Sequence, residues 1–274
     1  MQSTRLTYES LNSLPLWARM GTITLDEMRG VKLMNRIDTK YVLSETEIVT
    51  LLDHMAEYGY RVQVIDGVRA CRYDTLYYDT AEREMYIAHH NRQLTRQKVR
   101  TRTYVETGLT FLEIKNKNNR GRTKKRRTEI ARNDFYAFAD NATARDFYKE
   151  NGRHAHETIS PALATRFVRI TLVNPHLTER LTIDLALEYE DIRSHTRASI
   201  PTMAIVELKQ DGNVVSDLKR TMLDMRIRPL KVSKYCLGTT LTVAGIKHNR
   251  FKAKLRNIAK RLGTHEITIR TSKQ

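Results

Sequence analysis

The pattern of polar and apolar positions over residues 96–117 predicts two β-strands joined by a turn at Thr107-Gly108. Successive side chains of a strand point to opposite faces. In each strand one face is therefore ionic or aromatic, and the other has valine, threonine, leucine, isoleucine or asparagine. The charged positions of the ionic faces are Lys98, Arg100, Arg102, Glu113, Lys115 and Lys117.

Two structures would give this alternation. An antiparallel hairpin with one face in solvent is the usual source of such a pattern. A barrel whose apolar side packs outward on helices would instead direct the charges into its lumen. The hairpin alone does not favour either structure over the other, so the rest of the chain has to be considered.

Strands with one ionic face recur along most of the chain. They are predicted at 31–44, 162–173, 180–190 and 202–210, with two further strands at 61–65 and 71–79. Their charged positions are Arg36, Asp38, Lys40, Arg166, Asp184, Glu188, Glu207 and Lys209. An eight-stranded barrel has an interior just wide enough for side chains or a small ligand. On the pattern alone, a charged lumen and a solvated sheet face explain these strands equally well.

Helices are predicted between the strands, where they would cover the apolar faces. Residues 44–47 are a capping box, so a helix is expected to begin there and to end near Gly59. Further helices are predicted at 81–90, 134–148, 214–225 and 245–261. The strongly basic residues 118–127 are predicted to be a loop or a strand end.

The net charge of +17 over 274 residues predicts a polyanionic partner: phosphates, nucleic acid or an acidic membrane surface. Unpaired buried charge is costly, so a charged lumen would need bound anions. A chain of phosphates would supply them, because arginine offers phosphate oxygens a planar fork and lysine offers a mobile charge. The interleaved carboxylates Glu113, Asp184, Glu188 and Glu207 would then suit Mg²⁺ or Mn²⁺.

The two cysteines, Cys71 and Cys236, have no zinc-ligand spacing around them, which favours a reduced, cytoplasmic setting. The N-terminus is polar and lacks the apolar core of a signal peptide. No apolar run approaches the ~18 residues needed to span a bilayer. We therefore expect a cytoplasmic protein that is not integral to the membrane.

Six motifs occur in one order over roughly residues 30–240: NRIDTKYVLS, VRTRTY, FLEIKNK, ATRFVR, IVELKQ and VSKYCLG. Together they resemble the VTC domain, the polyphosphate polymerase module of the vacuolar transporter chaperone complex. That domain has bacterial relatives and belongs to the triphosphate tunnel metalloenzyme, or CYTH-like, superfamily. The resemblance implies an α+β fold in which an eight-stranded antiparallel β-barrel forms a tunnel with a charged lumen and helices packed outside.

The resemblance also implies an activity. A divalent metal, Mn²⁺ or Mg²⁺, would assist transfer of the γ-phosphate of ATP onto a growing polyphosphate chain. The motifs place phosphate-contacting and catalytic residues at Lys40, Arg100, Arg102, Lys115, Arg166 and Lys234, with Lys125 and Ser233 binding substrate and Glu207 holding the metal. The ionic faces add Arg36 and Lys209 as substrate-binding residues, and Glu113 and Asp184 as metal ligands.

The chain departs from the superfamily pattern at two places. The first-strand signature Glu-x-Glu-x-Lys is replaced by Arg36, Asp38 and Lys40, which leaves a first-strand metal ligand in doubt and favours the more basic polymerase branch. The tyrosine expected two residues before Arg166 is Ala164, which removes one candidate phosphate contact.

Two other functions remain open on the sequence. A triphosphate or polyphosphate hydrolase of the same fold would use a water activated by a carboxylate such as Glu113. A polyanion or nucleic-acid binding module is disfavoured, because the regularly spaced carboxylates would repel a nucleic-acid backbone and no aromatic stacking pattern accompanies the basic residues.

Three segments are predicted: an N-terminal segment at 1–30, a VTC-like tunnel domain at 31–243 and a basic tail at 244–274. The tail has an apolar stripe surrounded by lysine and arginine. It would either pack on the barrel as a terminal helix or dock on the anionic surface at the inner face of a membrane. Export of a product would need a separate membrane-protein partner.

Overall fold

One sheet organises the chain in a computed structural model that describes residues 6–31, 36–212, 214–264 and 267. Its strands are β1 (Thr22–Ile23), β2 (Arg36–Ser44), β3 (Arg61–Gln63), β4 (Ala70–Thr80), β5 (Arg96–Tyr104), β6 (Thr110–Lys117), β7 (Thr123–Ile130), β8 (Ile159–Val173), β9 (Glu179–Asp191), β10 (Arg197–Ile200) and β11 (Met203–Asp211). The α-helices are α1 (Tyr8–Asn12), α2 (Glu45–Glu57), α3 (Glu84–His90), α4 (Ala142–Asn151), α5 (Asp217–Asp224), α6 (Lys234–Thr242) and α7 (Lys252–Leu262).

Eight strands pair antiparallel in the order β2-β11-β9-β8-β4-β5-β6-β7. This confirms the predicted eight-stranded antiparallel sheet. The hairpin over residues 96–117 is also confirmed as β5 and β6, with Gly108 at a φ of 69° in its turn. Among the described residues no pairing joins β2 to β7, so the sheet is a half-barrel that is open along these two edges.

The sheet curls so that its ionic face is concave. In a flat sheet, five strand steps of about 4.8 Å would separate Lys40 on β2 from Lys98 on β5 by roughly 24 Å. Burial lowers the pKa of Lys98, and the charge of Lys40 contributes to the same shift. The charges of distant strands therefore face a common space, as the tunnel prediction requires.

The convex face is apolar and covered by helices, also as predicted. Side chains of β2, β8, β9 and β11 pack on α2 and α5 in one cluster, and those of β4, β5 and β6 pack on α4 in another. The Ser44 hydroxyl and the Glu47 carboxylate form the predicted capping box of α2. Residues 134–148 are not one helix, because Asn141 caps a helix that begins only at Ala142.

The concave face has an ionic half and an apolar half, and a bulge separates them on β9. Ala186 has a φ of 50°, and the register between β8 and β9 shifts at this point. Strand alternation is reset by such a bulge. Asp184 before it faces the ionic half, whereas Leu187 and Tyr189 after it join an apolar cluster with α6 and α7. Glu188, which the alternation grouped with Asp184, is exposed.

Within the basic tail, residues 252–262 form α7, and residues 265–266 and 268–274 lie outside the described residues. The middle of the apolar stripe is buried. Leu255 and Ile258 are 5% and 1% exposed in the apolar cluster of the concave face. Of the two alternatives for the tail, the structure shows the first, in which the terminal helix packs on the barrel. Within the described part of the chain, no helix is both long and apolar enough to cross a membrane.

Candidate active site

Among the described residues, nine basic side chains and three carboxylates form a group in the ionic half of the concave face. The nine basic residues are Lys40, Lys98, Arg100, Arg102, Lys115, Lys125, Arg169, Lys209 and Lys234. The three carboxylates are Glu113, Asp184 and Glu207, and each is shared by two cations. We call these twelve residues the ionic cluster.

Glu113 on β6 is fully buried and links two strands. Arg100 on β5 donates to it through Nε at 2.7 Å, and Lys125 on β7 forms a second ion pair. The β-sheet register sets this arrangement, because Arg100 lies directly opposite Glu113. Burial acts to raise the pKa of Glu113, but the charges of Arg100, Arg102 and Lys125 hold it well below its usual range.

Asp184 on β9 is the second shared carboxylate, and it is 2% exposed. Arg169 on β8 binds both of its oxygens, with Nη2 donating at 2.9 Å. Lys234, the first residue of α6, forms an ion pair with the same carboxylate. Burial lowers the pKa of Lys234 to about 8, although Asp184 acts to raise it. The pKa of Lys234 is thus lower than that of an ordinary lysine, although its ammonium group is still mostly protonated at pH 7.

Glu207 on β11 is the third shared carboxylate. Lys40 on the adjacent strand and Lys209 on the same strand each contact one of its oxygens at 2.9 Å. Burial favours the neutral acid, but the charges of Lys209 and Lys40 keep the pKa of Glu207 well below its usual range. The carboxylate is therefore ionised, and both of its oxygens are occupied by ammonium groups.

The other three cations of the cluster make no ion pair among the described residues. Arg102 is 5% exposed and donates from Nε to the Thr75 hydroxyl at 3.0 Å, while Lys98 donates to the Ser233 hydroxyl at 2.9 Å. The charge of Arg100 and burial lower the pKa of Lys115 well below its usual range. No carboxylate among the described residues forms an ion pair with these three groups, so the cluster has an excess of basic side chains that a bound anion would balance.

An aromatic ring supports part of the cluster. Phe167 on β8 lies under three cations, with its centroid 4.4 Å from the Lys234 ammonium, 5.4 Å from Arg169 and 5.7 Å from Arg102. Cation–π contacts attract these groups without neutralising them. The ring thus fixes the positions of the cations and leaves their charge available to a ligand.

Most of the predicted site residues are brought together by this arrangement. They are Lys40, Arg100, Arg102, Glu113, Lys115, Lys125, Asp184, Glu207, Lys209 and Lys234, with Ser233 at the edge of the cluster. The structure does not bring Arg166 or Arg36 into it.

Arg166 lies on the convex face, where its half-exposed side chain contacts Glu190 at 3.5 Å and Asp74 at 4.0 Å. The reason is strand alternation: Phe167 and Arg169 face the cluster, so Arg166 must face away. Arg169, which the sequence reasoning missed, is the arginine of β8 that lies in the ionic cluster. The available signal was the two-residue spacing of Phe167 and Arg169, which puts an aromatic ring two positions before the inward arginine.

Arg36 lies at the start of β2, where its side chain is 49% exposed. Its Nε contacts Asp38 at 2.7 Å, and none of its ion pairs is with the ionic cluster. The alternation placed Arg36 on the correct face of the strand. Because Arg36 is the first residue of β2, however, it lies at the rim of the half-barrel.

The three carboxylates predicted as metal ligands do not form one metal site. No group of three or more histidine, cysteine, aspartate or glutamate side chains with metal-binding geometry occurs in the described residues. Arginines bind Glu113 and Asp184 tightly, and a metal would have to displace them. Glu207 fits a metal better, because only lysines hold it and its side chain is 16% exposed. Mg²⁺ commonly uses one or two carboxylates and completes its shell with phosphate oxygens and water.

A family model supports the assignment of this fold. The model for the VTC domain matches residues 35–243. The chain belongs to the VTC domain family. This confirms the resemblance found in the six motifs, and it places the ionic cluster inside the VTC domain while α7 lies beyond the matched residues.

Solved structures that match this chain are distant in sequence. The putative adenylyl cyclase HpAC1 from Hippeastrum, reported with a dominant triphosphatase activity, is 15% identical at a TM-score of 0.48, over 76% of this chain and 97% of its own. The PH1819 protein from Pyrococcus horikoshii OT3 is 10% identical at a TM-score of 0.41, over 73% and 93%. No curated protein sequence is similar enough to count as a match. The family assignment rests on the domain match.

Proposed function

We propose that this VTC domain protein is a polyphosphate polymerase, which transfers the γ-phosphate of ATP onto the end of a growing polyphosphate chain. The ionic cluster supports a polyphosphate substrate, because it has nine basic side chains and only three carboxylates, which form ion pairs with six of the nine. Phosphoryl transfer depends mainly on positioning and on stabilising charge, which such a cluster supplies.

The state of the carboxylates favours polymerase over hydrolase. A hydrolase of this fold would need a base to activate water, and Glu113 was the candidate. Glu113 is fully buried, paired with Arg100 and Lys125, and its pKa is well below the usual range. A carboxylate in this state is a weak base. A phosphate terminus needs no such base, because it is already an anionic nucleophile.

In the proposed reaction, Arg100, Arg102 and Arg169 bind the triphosphate of ATP. An oxygen of the polyphosphate terminus attacks the γ-phosphorus, and the bond from that phosphorus to the β–γ bridging oxygen breaks, so that ADP leaves. Lys40 and Lys234 stabilise the charge on the transferred group. A divalent cation bound with ATP would be held by Glu207 and would neutralise part of the phosphate charge.

The test is to incubate the purified protein with ATP and Mn²⁺ and to separate the products on a gel. Long polyphosphate chains together with ADP are expected. Free phosphate and ADP without any chain would reject the polymerase and support the hydrolase. An Arg100→Ala variant is expected to lose chain formation, and full activity in that variant would reject the assignment of the ionic cluster as the active site.

A further inference from the structure

The ionic face continues beyond the ionic cluster toward the start of β5 and the end of β6. In the register of this hairpin, Lys98 lies opposite Lys115, and Arg96 lies opposite Lys117. Residues two apart on a strand share a face. Arg96 and Lys117 therefore point to the same side of the sheet as Lys98 and Lys115, one step closer to the strand ends.

Helix α7 forms a second wall at this end of the half-barrel. Phe251, which precedes the helix, contacts His90 and Tyr86 of α3 with ring centroids 5.3 Å and 6.0 Å apart. The backbone N–H of Arg250 donates to His90 Nε2 at 3.3 Å, and its guanidinium donates to the Asn91 carbonyl at 2.9 Å. These contacts fix the start of α7 beside the C-terminal end of α3.

Lys254 is a half-buried basic residue on the side of α7 that faces α6. Together with Ser233 and Cys236 it lines a recess between α6 and α7. Ser233 in turn accepts the hydrogen bond from Lys98. Lys254 thus borders the same space as the outermost lysine of the ionic cluster, whereas Lys252 on the same helix is exposed.

Five basic residues meet around this opening, which we call the basic mouth. They are Arg92, Arg96, Lys117, Lys231 and Lys254. Burial lowers the pKa of His89 to about 2, and the charges of Lys98, Arg96 and Lys254 add to the shift, so this ring stays neutral among them. Over the residues that the structure describes, none of the five makes an ion pair with a carboxylate. The mouth thus has even less internal neutralisation than the ionic cluster.

We propose that the basic mouth is a second polyanion-binding site, which holds inner phosphates of a long polyphosphate chain while the chain end lies in the ionic cluster. The proposal rests on the proposed function for the identity of the polyanion. The two sites are continuous along β5 and β6, so one linear anion can contact both. Lys254 lies on α7, outside the residues 35–243 that the domain model matches.

The test compares two lysines of α7. Lys254→Met removes a charge from the mouth but keeps an apolar stem for packing, and Lys252→Met is the matched control on the exposed side. Binding of tripolyphosphate and of a long-chain polyphosphate is measured by calorimetry. In Lys254→Met, affinity for the long chain is expected to fall roughly fivefold, which corresponds to about 1 kcal/mol for one partly buried charge contact. Tripolyphosphate affinity should not change, and the control should match the unmodified protein for both ligands.

Two results would overturn the proposal. One is equal loss of tripolyphosphate and long-chain affinity in Lys254→Met, which would place Lys254 in the ionic cluster. The other is an unchanged long-chain affinity. Neither result depends on turnover, so the proposal for the basic mouth can be rejected while chain formation from ATP is still observed. Chain formation can equally fail while the mouth still discriminates between the two ligands.

Discussion

The substitution Glu113→Gln tests whether the ionic cluster has excess positive charge that a bound anion can compensate. It removes the carboxylate shared by Arg100 and Lys125 and keeps the shape of the side chain. Breaking a buried pair by removing one partner costs about 3–5 kcal/mol. At about 2–4 °C per kcal/mol, the melting temperature should fall by roughly 6–20 °C. The loss should be smaller at alkaline pH, because burial and nearby cations lower the pKa of Lys125 and allow it to lose its proton.

Tripolyphosphate should reverse much of this loss. A ligand at one hundred times its dissociation constant stabilises the folded protein by about 2.7 kcal/mol. The variant has one more uncompensated positive charge, so it should bind the anion more tightly and gain more stability from it than the unmodified protein. The assay is thermal unfolding followed by circular dichroism, with and without tripolyphosphate, on a variant purified in its presence.

The control for this experiment is Glu190→Gln on the convex face. Glu190 pairs with the exposed side chains of Arg166 and Arg197, and such surface pairs contribute at most about 1 kcal/mol. Its melting temperature should change little, and tripolyphosphate should stabilise it as it does the unmodified protein. The reasoning is refuted if Glu113→Gln is as stable as Glu190→Gln without the anion, or if the anion stabilises both variants equally.

Two further predictions concern anion binding. Arg169→Met should weaken tripolyphosphate binding roughly 10- to 100-fold, in line with about 1.5–3 kcal/mol for lost charged hydrogen bonds. Arg166→Met should leave the affinity unchanged. Calorimetry measures both affinities, and a larger loss in Arg166→Met than in Arg169→Met would contradict the structure. Binding should also take up protons near pH 8, since an anion beside Lys234 raises a pKa that burial has lowered to about 8. Affinity should accordingly decline as the pH rises above 8. Calorimetry in two buffers of different ionisation enthalpy measures the uptake, and proton release would contradict this prediction.

The strand pattern predicted much of the fold because strand alternation is a local property. The hairpin of β5 and β6, with its ionic and apolar faces, follows from the sequence of residues 96–117 alone. The paired roles of Arg100 and Glu113 then follow from their opposite positions in the register. The family resemblance supplied the number of strands in the sheet and their antiparallel arrangement, which alternation does not determine.

The position of Arg169 could not be obtained from alternation alone. An arginine on either face of β8 has carboxylates within reach, and Arg166 indeed pairs with Glu190 on the convex side. The choice depends on which face curls inward, which is a tertiary property. The bulge at Ala186 adds a second difficulty, because it reverses the alternation within β9 and turns Glu188 outward.

The sequence analysis did not predict that residues 123–130 form a full strand or that residues 234–242 form a buried helix, and the two reasons differ. Residues 123–130 are mostly exposed and highly charged, so the segment lacks the apolar face that marks a strand. Its strand conformation comes from pairing with β6. Helix α6 is buried nearly all round, and its sequence therefore has no polar face. Gly238 permits this packing, because a Cβ there would lie 2.7 Å from a methyl carbon of Leu163.

The central claim is that the concave ionic cluster binds a chain of phosphates. A crystal structure of the protein with tripolyphosphate tests it most directly. Phosphate oxygens are expected within hydrogen-bonding distance of Arg100, Arg102 and Arg169, with the Lys234 ammonium beside them. Tripolyphosphate bound only on the convex face, for example at Arg166, with the ionic cluster unchanged, would contradict the account.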